Sequence, residues 1–435
     1  MRMRRACNPG LPLNGKIPIK DAKMKETPNL HILKLTFIFF ATGMLMFLAA
    51  MVAALLFIPD LVRLQSLRNP QGWALAHLLL LGFATTIAMG ASFQITQVIL
   101  RTALFSRGLG YIHYVFYLLG FTGLMAGFCA DAWLIALGGG CLAVGAALYV
   151  FNLIATFVRK KEWNVFVFGV SLCLAEFLFA ICLGIAMGLG YARGWNAAYH
   201  SVFLAGHLWF GVGGWLSGLI LVYSFKLLPM FYASRKGAAP SAYWILGIYH
   251  LGVWLQFFAL PAGAERIGGA ASLLMLIALG WFCAYMFQVR KLSSGRLPIG
   301  AVKVAFFLIP AAGLLFFVWS VLRWTGSGAP QAHDALIISV ILGWFAASIL
   351  SYLSKILPFL WWAHRFRATK KSPVLLTEML PEKRMTRQLY GYLAGIAATV
   401  SGYLFESPLA AISGQAIAVV FVLIYLAELL RVFRY

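Results

Sequence analysis

Long apolar runs separated by short, mostly basic loops organise almost the whole chain. A helix needs about 20 apolar residues to cross a bilayer. Twelve stretches reach that length, at roughly 32–58, 73–100, 109–129, 132–157, 164–190, 199–228, 242–261, 268–289, 299–322, 334–360, 388–405 and 408–430. The pattern predicts an all-α integral membrane protein with a single transmembrane domain over 31–435. Ahead of it lies a basic tail, residues 1–30, reading "MRMRRACNPGLPLNGKIPIKDAKMKETPNL". The first apolar run after this tail is too long for a signal-peptide core, which predicts a retained first span.

The loops predict an orientation. Those after even-numbered spans read "RTALFSRG", "VRKKEWN", "ASRKGAAP", "VRKLSSGR" and "HRFRATKKSPVLLTEMLPEKRMTRQ". Those after odd-numbered spans, such as "PAGAERIGG" and "ESP", carry far fewer Lys and Arg. Basic loops stay on the cytoplasmic side. The expectation is a multi-pass protein of the cell membrane with both termini in the cytoplasm, the loop 361–387 being the one sizeable extramembrane feature.

One sentence of the sequence is written twice. "GWLSGLILVYSFKLLPMF" at 214–231 returns as "GWFAASILSYLSKILPFL" at 343–360. Trp215 and Trp344, Lys226 and Lys355, and Pro229 and Pro358 all share an offset of 129. A fainter copy begins at Gly82-Phe83 in "HLLLLGFATTIAMGASFQITQ", offset by 132 from Gly214-Trp215. Spans two, six and ten are therefore counterparts. The chain is expected to hold three four-helix pseudo-repeats, about 32–157, 164–289 and 299–430. Four helices return the chain to its starting side, so these repeats are parallel, unlike the inverted repeats of many transporters. Lys226 and Lys355 near the cytoplasmic ends are expected to snorkel to the interface, and the prolines to end or kink their helices.

Composition agrees: 62% of residues are hydrophobic and 11% charged, against roughly 25% charged in soluble domains. The formal net charge of +23 does not mark a nucleic-acid partner, because the basic residues sit in short loops between apolar runs. It favours the lipid bilayer and its anionic headgroups. Cys7, Cys129, Cys141, Cys173, Cys182 and Cys283 form no CxxC and read as small packing residues. Glycine clusters such as "WFGVGGW" and "ALGGGCLAVGAA" read as close helix contacts rather than nucleotide-binding loops.

Ionisable groups inside a bilayer are costly and point to function. Of the eight histidines, His31, His113 and His364 fall at cytoplasmic ends and are expected to be interfacial, and His200 lies at the outer mouth of span six. His77, His207 and His333 lie in the outer halves of spans two, six and ten, one per unit, and His250 lies within span seven. For any one of them, a structural bond to a carbonyl is the simplest role. As a set they point to ligation of a metal or haem iron. Glu176 in span five is the clear intramembrane carboxylate, and Glu428 lies near the end of span twelve.

The stretches "AHLLLLGFATTIAMGASFQ", "GHLWFGVGGWLSGLILVYSFKLLPMF" and "GWFAASILSYLSKILPFLWWAHRF", with these histidines, resemble the large subunit of the haem-copper oxidases over essentially the whole chain. The resemblance implies a low-spin haem, b-type, held by His77 and His333. It also implies His207 and His250 as metal ligands, with copper as the metal. The departures are as informative. The second span-ten histidine of the family is missing, since 333–335 read His-Asp-Ala. His207 stands in "GHLWF" without the family's cross-linked tyrosine, and span seven ends "FFALPAG" where the family has a histidine pair.

The resulting expectation is a haem-binding membrane redox protein with an incomplete binuclear ligand set. It would serve electron transfer or the chemistry or sensing of a small gas such as oxygen or nitric oxide, and would be an oxidoreductase if active. An electron donor or partner membrane subunit is implied. Two alternatives stand beside it: a cofactor-free twelve-helix transporter, and a non-catalytic assembly or scaffold subunit.

Overall fold

A computed structural model describes residues 30–194, 199–236, 240–259, 265–293, 300–327, 329–366 and 374–435. The basic tail, residues 1–29, lies outside the described residues, as does the 367–373 part of the loop 361–387. Among the described residues eleven helices are long and apolar enough to cross a membrane. They are α1 (Leu30–Leu64), α2 (Pro70–Leu100), α3 (Arg107–Cys129), α4 (Ala132–Lys160), α5 (Val165–Arg193), α6 (His200–Phe231), α7 (Ser241–Ala259), α8 (Glu265–Lys291), α9 (Val302–Thr325), α10 (Pro330–Phe366) and α12 (Pro408–Leu430). The chain is an all-α, multi-pass membrane protein. A further helix, α11 (Glu382–Leu404), occupies the place of the expected eleventh span. Its first turns read "EKRMTRQ", and it does not match the apolarity of the others.

Polar side chains punctuate the helices where the sequence supplies them. Asn69 accepts from the Gly72 N–H at 2.9 Å and precedes Pro70, which suits the first helical position. Ser106, Asp131, Asn164 and Ser407 cap α3, α4, α5 and α12 in the same way. Asn152 holds the turn before α3 by accepting from Ser106 N at 3.0 Å and donating to Ser106 O at 2.8 Å. Of the two repeated prolines, Pro229 stands two residues before the end of α6 and Pro358 stands well inside α10, which runs on to Phe366.

Two helix pairs are joined through glycine. A Cβ at Gly120 would lie 2.4 Å from Leu142 N, and one at Gly138 would lie 2.3 Å from Leu124 N, so α3 and α4 meet backbone to backbone. Gly395, Gly402 and Gly414 do the same for α11 and α12. Without a hydrophobic drive between helices in lipid, such close contact supplies the association energy through dispersion.

α2, α6 and α10 form the centre. Their most apolar windows are 67%, 78% and 61% buried, against 28% for α9. α6 is tied to both partners: Trp215 Nε1 donates to Thr85 Oγ1 at 3.0 Å, Tyr223 pairs with Ser92, and Ser224 meets Tyr352 OH at 2.7 Å.

Each central helix also carries a π-helical stretch: Leu78–Thr85, Trp209–Ser217 and Ser339–Ala346. A tyrosine on the following helix donates to a carbonyl in each. Tyr117 reaches Leu81 O at 2.9 Å, Tyr249 reaches Gly213 O at 2.9 Å, and Tyr392 reaches Leu342 O at 2.8 Å. Leu81, Gly213 and Leu342 are separated by 132 and 129 residues, the offsets of the repeated sentence. π stretches are rare, and a hydroxyl inserted at one satisfies a backbone group that lipid cannot.

Candidate functional site

The imidazoles of His77 and His207 come together at one end of the central helices. Their ring centroids are 6.0 Å apart with planes inclined by 26°. Each stands next to a π-helical stretch, which begins at Leu78 in α2 and at Trp209 in α6. His77 Nδ1 lies 2.8 Å from Trp73 O, and His207 Nδ1 lies 2.7 Å from Ala180 O on α5. A carbonyl only accepts, so Nδ1 carries the proton in both rings and Nε2 presents a lone pair in the neutral imidazole. Phe128 covers one flank of His77, with centroids 5.0 Å apart. Gly184 gives His207 its room, since a Cβ there would lie 3.1 Å from His207 Cε1.

This arrangement suits metal ligation. Ligating histidines characteristically donate their second nitrogen to a carbonyl or carboxylate, which fixes tautomer and orientation. Two imidazoles sharing one ion at metal–nitrogen distances of about 2.0–2.1 Å have centroids roughly 5–6.5 Å apart.

His333 is half-buried in the first turn of α10, and its Nδ1 lies 3.2 Å from Ala329 O. Its neighbour Asp334 accepts from Leu67 N at 2.9 Å and Tyr403 OH at 3.1 Å. That bond sets His333 near the level of the loop before α2, whereas His77 lies seven residues into α2, about 10 Å deeper. Among the described residues no hydrogen bond or ring contact joins His333 to His77.

His250 is buried in α7 and belongs to a separate cluster. Its Nδ1 lies 2.9 and 2.7 Å from Glu176 Oε1 and Oε2, and its Nε2 lies 3.9 Å from Cys173 Sγ. Gly214 and Gly218 of α6 make the space. A Cβ at Gly214 would lie 2.4 Å from Glu176 Oε2, and one at Gly218 would lie 2.7 Å from Cys173 Sγ and from His250 Cε1. His207 is eleven residues before Gly218 on the same helix, more than two turns away along its axis. His207 and His250 are therefore too far apart to ligate one ion. Among the described residues no group of three or more His, Cys, Asp or Glu side chains is arranged to hold a metal ion. Within the Glu176–His250–Cys173 cluster the reason is geometric: the imidazole stands between the carboxylate and the thiol.

Several other expectations change. His113 is buried rather than interfacial, stacked on Phe39 with centroids 5.2 Å apart and flanked by Tyr149. The α1 and α4 aromatics pack over the helix end where it sits. Cys173, read from sequence as a packing residue, faces His250. Glu428 lies near the end of α12, as expected, and there pairs with Arg384 and Arg431 at 3.2 and 3.1 Å. The two repeated lysines diverge: Lys226 is exposed, whereas Lys355 is part-buried and paired with Glu382. That pair lines a cavity of about 220 Å³ between α6, α10 and α11, at the opposite end from His77 and His207.

The chain matches no protein-family model, and no curated protein matches its sequence.

Proposed function

We propose that this chain is a haem-binding redox protein of the cell membrane, built on the three-unit plan of the haem-copper oxidase large subunit, with both termini in the cytoplasm. The observation that carries the proposal is the His77–His207 pair, in which each Nδ1 is spent on a carbonyl and each Nε2 is left for a ligand. The three π-helical stretches, each served by a tyrosine at matching offsets, support the parallel three-unit plan. The basic loops support the orientation.

His77 and His207 are the residues that would hold the haem iron. His207 replaces His333 in this role because it stands beside His77, whereas His333 lies near the loop level. A bound haem would supply a reversible one-electron change at iron, with its potential set by its histidine ligands and the surrounding dielectric. The chain's own contribution is orientation. Trp73 O and Ala180 O fix the rings, Gly184 admits His207, and Phe128 covers His77. Copper has no place in the reading, because His250 is held by Glu176 and is remote from His207. An electron donor, soluble or a partner membrane subunit, completes the proposal.

The test is a reduced-minus-oxidised spectrum and pyridine haemochrome assay of detergent-purified protein. The expected result is one b-type haem, lost in His77→Ala and in His207→Ala and retained in His333→Ala. A colourless protein from haem-replete cells overturns the proposal. Retention of the spectrum in His207→Ala with loss in His333→Ala would return the second ligand to α10.

A second reading, a cofactor-free proton-coupled transporter, has the Glu176–His250 pair in its favour. A buried carboxylate and imidazole sharing a proton is the kind of intramembrane relay such proteins use.

A further inference from the structure

The three central helices border a partly open cavity that the proposed haem site does not use. It has a volume of about 60 Å³ and is bounded by α2, α6 and α10, with Phe40 of α1 at one side. Roughly 10–15 Å³ is enough for a single water, so the space takes a molecule of a few heavy atoms.

Its walls are apolar. Ala84, Ala88 and Ala91 line it from α2, Leu216, Leu219 and Ile220 from α6, and Phe345, Ile349 and Leu353 from α10. Two tyrosines also border it, but their hydroxyls are already engaged: Tyr223 with Ser92, and Tyr352 with Ser224 at 2.7 Å. A water placed there would find none of the two to four polar partners it needs.

The shape follows from the repeated design. Ala84, Leu216 and Phe345 all belong to the π-helical stretches, so the cavity starts where each central helix is widened. Ala84, Ala88 and Ala91 share one face of α2, at the i, i+4 and i+7 positions that stack along a helix. The missing side-chain volume on that face is the room on the axis. Larger residues there would close it, and the facing Phe345 and Leu353 leave the gap unfilled.

We propose that this axial cavity is a dry binding site for one small apolar molecule, of the class of diatomic gases and noble gases. A neutral, weakly hydrated solute gains dispersion contacts with the wall and loses no hydrogen bond on leaving water or lipid. The site needs no metal and stands whether or not the chain carries haem.

Xenon is the probe. Crystals of the full chain pressurised with xenon are expected to show one anomalous peak between Ala88, Leu219 and Phe345. Ala88→Leu fills the space and removes the peak. Leu219→Ala enlarges it and raises xenon occupancy at the same pressure at least twofold. If Ala88→Leu does not fold, Leu219→Ala alone decides. The absence of xenon there in both the native protein and Leu219→Ala overturns the proposal, as do ordered waters filling the native cavity. A peak that persists unchanged in a folded Ala88→Leu protein does so too.

Discussion

Removing the hydroxyl from each of the tyrosines that serve the π-helical stretches tests whether the three bonds are equivalent. Tyr117→Phe, Tyr249→Phe and Tyr392→Phe each delete one donor and change nothing else in the ring. The bonds lost measure 2.9, 2.9 and 2.8 Å. Hydrogen bonds between helices in a membrane contribute about 0.6 kcal/mol on average and up to about 1.7 kcal/mol. A carbonyl left without a partner costs about 1–3 kcal/mol. Tyr249→Phe and Tyr392→Phe are therefore expected to destabilise by about 1–2 kcal/mol each. Tyr117→Phe should be the mildest, near 0.5 kcal/mol, because Leu81 O also accepts from Thr86 Oγ1 at 2.9 Å. The three bonds lie on different helix pairs, so the triple variant should show close to the sum of the singles. Reversible unfolding in mixed micelles with rising SDS reads these differences directly. Three variants indistinguishable from the native protein would refute the reasoning, since the carbonyls would then have other partners. A Tyr117→Phe effect larger than the other two would refute the ranking.

Other consequences follow from the packing. Gly120→Ala and Gly138→Ala place a Cβ 2.4 and 2.3 Å from backbone nitrogen and should each cost about 1–3 kcal/mol through overpacking. The same unfolding assay reads this, with Gly140→Ala, which meets nothing within 4 Å, as the neutral control. Glu176→Ala strips the buried His250 of its partner and should cost roughly 3 kcal/mol, with Glu176→Gln much milder. A Glu176→Ala/His250→Ala double variant should cost less than the sum, and additivity would refute the pairing. Asp334→Ala removes the acceptor for Leu67 N and Tyr403 OH and should lower stability by about 1–3 kcal/mol, while Asp334→Asn, which keeps an acceptor oxygen, should lie nearer the native protein in thermal unfolding.

The division between sequence and tertiary structure runs along interaction range. Twenty-residue apolar runs have one stable solution in lipid, a helix whose backbone bonds are internal. Eleven of the twelve expected spans could therefore be placed from hydropathy alone, with ends differing by at most six residues. The offsets linking Gly82, Gly214 and Gly343 were legible for the same reason: they are properties of the string. The caps at Asn69, Ser106 and Asn164 are as local, one side chain meeting a backbone group three residues on, but they emerged only from the structure.

What it did not supply was which histidines meet. His77 joins His207, and His250 joins Glu176 and Cys173, across helices whose relative rotation is set by side-chain packing and by glycines such as Gly184, Gly214 and Gly218. No fixed spacing encodes those distances, and the resemblance paired His77 with His333, which the structure sets near the level of the loop before α2. The π-helical stretches were invisible as well, because each is met by a tyrosine on another helix, Tyr117, Tyr249 or Tyr392, that the local sequence does not contain. The burial of His113 and the pairing of Lys355 with Glu382 follow the same rule. Bilayer physics and local hydrogen bonding let the sequence determine where helices begin and end. Which side chains share a site, and where a cavity opens on the central axis, is settled by the contacts between helices distant in the chain.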